Sequence, residues 1–228
     1  MLGIARRTAA LPVLLLAAAG SLCAQTEQPA MAHAHMAFTE ARPGTPEDSA
    51  RALAMVEKLR DAIAPYQTLE EAEKAGYRVR RDTDMVKGAR LLHAGKWPKR
   101  LGQVQKFDPT APQALLYRRG TDGEFHLAGG MFVAAPSATL DDLDAMVPLS
   151  VAHWHQHQNI CVAGNLRSFR IVPRATTEEA CTKAGGRFRA QSRYMVHVMT
   201  DAGSDLAMAF PQGRDDMGAM DMGPAHEH

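Results

Sequence analysis

His153, His155 and His157 alternate along one short stretch of the chain, and three imidazoles at that spacing suit a metal ion. On a strand successive side chains face opposite ways, so the three project from one side while Ala152, Trp154 and Gln156 face the other. Residues two apart lie roughly 6 to 7 Å from each other, a gap that one ion held about 2 Å from each nitrogen can bridge. The outer pair sit about 13 Å apart on the same rise, so an ion takes two of the three and finds its other ligands elsewhere. His197 is the first outside candidate, because it lies in the apolar run Tyr194 to Met199, where an unpartnered imidazole is costly to bury. His93, close to Gly95 in an irregular segment, is the second. The plain alternatives are a polar strand face for the run and a core histidine bonded to a backbone carbonyl for His197. His126 reads as surface.

The ends of the chain carry a separate signal. Met31, His33, His35 and Met36 stand near one end, and Met217, Met220, Met222, His226 and His228 at the other. Thioether and imidazole groups suit soft or borderline ions, Met favouring Cu(I) and His accommodating Cu(II) or Zn(II). These segments read either as copper-collecting arms or as ordinary disordered ends. Copper and zinc are the expected ions, and three function classes stay open. The first is metal binding, in handling or tolerance. The second is a metal-dependent enzyme, since three histidines with an open fourth position also hold catalytic zinc. Such an enzyme needs a general acid or base beside the metal, and Gln156 and Gln158 stand where a carboxylate is wanted, which tilts the reading to binding. The third is a disulfide-stapled structural or interaction domain.

These residues need a compartment and a scaffold. Arg6 and Arg7, an apolar run from Ala9 through Ala19 and a small-residue stretch ending at Ala24 have the order of a secretory signal peptide over residues 1–24. The apolar run is too short to span a bilayer, so a periplasmic or secreted product without membrane insertion is expected. The chain has 26 basic and 25 acidic residues, and loss of Arg6 and Arg7 leaves 24 against 25. That balance argues against nucleic acid or an anionic membrane as partner. Beyond the signal two cysteines remain, Cys161 and Cys181. In an oxidising compartment they are expected to pair, closing a loop worth roughly 3 kcal/mol. The rival reading makes Cys161 a metal ligand, four residues beyond His157.

Residues 25–44 lack apolar periodicity and read as a flexible leader, followed by a single domain over 45–200 and a disordered tail over 201–228. Thr45, Pro46 and Asp48 open an amphipathic helix to about Ala64, with Leu53, Val56, Leu59 and Ile63 on its apolar face. Thr68 and Glu71 cap a short helix that ends at Gly76, and Tyr77 to Arg80 reads as a strand. Residues 81–106 read as basic and irregular, with a loop at Leu91 to Gly95. Ala114 to Tyr117 and Phe125 to Ala134 form a hairpin around Gly120 to Gly123. Thr139 caps a helix to about Met146, Thr176 or Thr177 caps one that closes at Gly185 and Gly186, and Tyr194 to Met199 is a buried strand. The sum is an α+β fold: a small antiparallel sheet with a hairpin, flanked by short helices and stapled by one disulfide. Trp154 is expected to pack behind its strand and fix the first imidazoles, and Asn159 to orient one of them by a hydrogen bond.

From about Thr45 to Met199 the chain resembles a family of secreted bacterial proteins that has no assigned activity. The resemblance is carried by Ala64-Pro65-Tyr66, by Ala72 to Gly76-Tyr77, by Phe107-Asp108-Pro109 and by Gly129-Gly130-Met131 with Ala135-Pro136. Its most specific part is Pro148 to Ala152 followed by Trp154-His155, His157, Asn159 and Cys161, with Glu179-Ala180-Cys181 and Met195 to Val198 completing it. The resemblance implies that His155, His157, His197 and both cysteines are shared, with His93 a looser match. The chain departs from the pattern at His153 and around Lys96.

Overall fold

The computed structural model describes residues 36–79, 91–96, 106–164, 170–172 and 175–211, and the side chains of 170 and 171 are not described. The signal segment, most of the leader and the Met- and His-containing tail lie outside these residues. Among the described residues no helix is long and apolar enough to cross a membrane.

The helices are α1 (Pro46–Ile63), α2 (Leu69–Lys74), α3 (Leu140–Met146), α4 (Glu178–Lys183) and α5 (Leu206–Ala209). Thr45, Thr68 and Thr139 each accept from the backbone N–H three residues on, while the acid there accepts from the threonine's own N–H. Each capping box satisfies two otherwise unpaired donors at a helix start. Thr177 caps α4.

The strands are β1 (Met36–Phe38), β2 (Arg78–Val79), β3 (Leu91–Gly95), β4 (Ala114–Arg119), β5 (Phe125–Val133), β6 (His155–Ala163), β7 (Arg170–Ile171), β8 (Gly186–Gln191) and β9 (Met195–Met199). All pair antiparallel, in the order β1-β6-β9-β5-β4-β3-β2, with β7 and β8 joined to the far half of β6. The fold is α+β, as expected, and the hairpin is β4 and β5.

The two faces of the sheet differ in kind. One packs under the helices: Leu92, Leu115, Tyr117, Phe132, Val196, Val198 and Trp154 share a core with Val56, Leu59 and Ile63 of α1 and Leu143 of α3. Gly130 permits the close approach, because a Cβ there would lie 3.1 Å from Leu59 Cδ1. The opposite face holds a smaller cluster of Ala114, Leu116, Ala128, Met131 and Met199, with no helical residue in it among the described residues. A third cluster surrounds the Cys161–Cys181 disulfide, whose Cα atoms lie 5.3 Å apart. The bridge consumes both thiols, so the alternative of Cys161 as a metal ligand is excluded.

Three sequence expectations are corrected. Leu91 to Gly95, read as a loop, is strand β3, held by a five-residue ladder to β4. Register partners 19 to 27 residues away in sequence make this strand, which local composition does not register. The leader, read as flexible over 25–44, contains β1, paired to β6 through Met36↔His157 and Phe38↔His155. Order also continues past Asp201: Asp205 caps the short α5, which seats Phe210 in the main core at 1% exposure.

Candidate functional site

Four histidines from three strands meet on the face that carries the smaller apolar cluster. β3 contributes His93, β9 contributes His197, and β6 contributes His155 and His157. Alternation places them there: the register passes from His93 to Leu116, and from Met131 to His197. On β9, Val196 and Val198 point into the main core while Met195, His197 and Met199 point to the site.

The ring centroids run in a connected series, with His93 5.2 Å from His197, His197 5.2 Å from His155, and His155 5.6 Å from His157. His93 Nε2 lies 3.4 Å from His197 Nε2, a long hydrogen bond in which the tautomers decide which ring donates. His155 and His197 are only 5% and 6% exposed. His155 Nε2 is buried and has no hydrogen-bond partner among the described residues. An unsatisfied buried nitrogen of this kind costs on the order of 1–3 kcal/mol. As the side chains stand, no three His, Cys, Asp or Glu among the described residues already form a group able to hold a metal ion.

Burial governs the protonation of the cluster. It pushes His93 down to about 4, with the neighbouring His157 adding to the effect. It pushes His155 down to about 3, helped by His157 and His93. His197 falls well below the ordinary histidine value for the same reason, with His93, His155 and His157 contributing. Three of the four imidazoles are therefore neutral at pH 7, and a neutral imidazole keeps the lone pair that a metal needs.

The other sequence candidates fall around this cluster. His153 precedes β6, and its Nδ1 lies 3.1 Å from the Thr39 carbonyl oxygen. The strand begins only at His155, so the three-histidine alternation expected over 153–157 reduces to a pair. Trp154 is fully buried behind the strand in the main core, as expected. Its backbone N–H donates to Thr39 Oγ1, and Thr39 N–H donates back to the Trp154 carbonyl. His153 and Trp154 thus tie down the end of β1. Asn159 is exposed and takes φ 51°, the one positive value at a non-glycine among the described residues. It sits where β6 leaves β1 and β9 to pair with β8, so its place is in the bend of the strand. His126 Nε2 donates at 2.8 Å to Asp122 Oδ2 on the exposed hairpin, away from the cluster.

Sequence reasoning placed Met36 in an arm near one end of the chain and passed over Met131 and Met195. Met36, Met131 and Met195 stand directly opposite His157, His197 and His155 on neighbouring strands. The alternation of Met195, His197 and Met199 was the available signal. Comparison with models of known protein families, with curated proteins and with solved structures finds nothing that matches this chain.

Proposed function

We infer that the protein is a metal-binding protein of an exported compartment, and that its copper or zinc site is built from His93, His155, His157 and His197. The observation that carries this reading is the 3.4 Å between His93 Nε2 and His197 Nε2. Two nitrogens each about 2.0–2.1 Å from one tetrahedral ion stand roughly 3.3–3.4 Å apart. Two imidazoles bound that way have ring centroids roughly 5 Å apart, close to the 5.2 Å found for His93–His197 and His197–His155. A rotation of the His155 ring brings its unpartnered Nε2 toward the same point and relieves the cost of its burial. His157, at the end of the series, supplies the fourth position or leaves it to water.

Binding is favoured over catalysis. Among the described residues, the neighbours that shift His93, His155 and His197 are imidazoles, with no carboxylate among them. An exported location follows from the order of residues at the start of the chain, and the disulfide is compatible with it. The reading is tested by competition titration with Zn(II) and Cu(I) on wild type and His197→Ala. One equivalent is expected to bind the wild type with an affinity that falls at least roughly 100-fold in the variant. Equal affinities in the two proteins would overturn the reading.

A further inference from the structure

Resting on that reading, we propose that the site selects Cu(I) over Zn(II), and that the thioethers of Met131 and Met195 complete its coordination. Residues directly opposite in an antiparallel pair project to the same face with Cβ atoms about 5 Å apart. Met131 is the register partner of His197 and Met195 that of His155. Each of the two buried histidines therefore has a thioether as its cross-strand neighbour. Met131 is itself 5% exposed, and Met199 on the same face is fully buried.

The chemistry of the donors decides between the ions. Thioether sulfur is a soft ligand that suits Cu(I) and adds nothing to a zinc site, which takes thiolate, imidazole or carboxylate.

The test uses the full chain and compares wild type, the double variant Met131→Leu with Met195→Leu, and His197→Ala. Leu for Met conserves volume, so the fold is retained. Cu(I) affinity is read anaerobically by competition with a chromogenic Cu(I) chelator, and Zn(II) affinity with a fluorescent zinc chelator. Any binding by the chain ends persists in His197→Ala and is subtracted. The proposal expects the double variant to lose at least 10-fold in Cu(I) affinity and less than 3-fold in Zn(II) affinity. Unchanged Cu(I) affinity, or an equal loss for both ions, overturns it while leaving the metal reading intact. If His197→Ala matches wild type for both ions, the metal reading itself fails. The single variants Met131→Leu and Met195→Leu give the same readout should the double variant not fold.

Discussion

At the scale of single residues, the buried imidazoles make stability depend on pH in a definite direction. His93 and His155 titrate at about 4 and about 3 in the fold and near 6.5 once unfolded. Between those values the unfolded chain binds more protons, so stability rises with pH and is lost as pH falls from about 6.5 toward 4. At about 1.4 kcal/mol per unit, His93 alone accounts for a loss on the order of 3 kcal/mol. Urea unfolding of the chelator-treated protein at pH 7.5 and at pH 4.5 is expected to show a clearly lower midpoint at the acid value. In a His93→Gln variant that difference should shrink. The residues of this site were only partly legible in the sequence. His155, His157 and His197 are visible because each alternates within its own strand, and alternation survives in one dimension. His93 was weaker, since nothing nearby marks its segment as a strand. By spacing alone His153 looked equivalent to its neighbours, because alternation does not mark that β6 begins after it.

Among elements, the site depends on how closely β9 approaches β5. Gly129 faces Met199, and a Cβ there would lie 2.0 Å from the Val198 carbonyl oxygen, a backbone atom that cannot swing aside. Gly129→Ala must therefore displace β9 and His197 with it, costing about 1–3 kcal/mol and lowering metal affinity at least 10-fold. A combined thermal melt and metal titration checks both. The disulfide makes the opposite case. It ties the far half of β6 to α4, and Gly186 is needed beside it because a Cβ would lie 2.4 Å from Cys161 Sγ. Cys161→Ser with Cys181→Ser is expected to lower stability by about 3 kcal/mol while leaving the metal stoichiometry unchanged. Helices α1 to α4 and the hairpin were legible because caps, apolar periodicity and turn residues act locally. Strands β1, β3 and β8 were not, since each is defined by a distant partner.

For the molecule as a whole, the sheet divides two tasks between its faces. The helices bury one face and supply the main core, which frees the other to gather histidine and methionine from β1, β3, β5, β6 and β9. The metal centre is therefore expected to belong to the sheet and not to the chain ends. Removal of residues 212–228 should leave one equivalent of tightly bound metal, measured by titration, and reduce only weaker binding. Sequence composition suggested copper and zinc as candidate ions, but it could not show that four imidazoles from three strands share one face, because that is a property of sheet order. The most direct measurement is a crystal structure of the metal-loaded protein with anomalous scattering at the metal edge. The account predicts one strong peak within about 2.1 Å of both His93 Nε2 and His197 Nε2, with the His155 ring turned toward it. A peak elsewhere on the molecule, with His93 and His197 left facing each other empty, would contradict it.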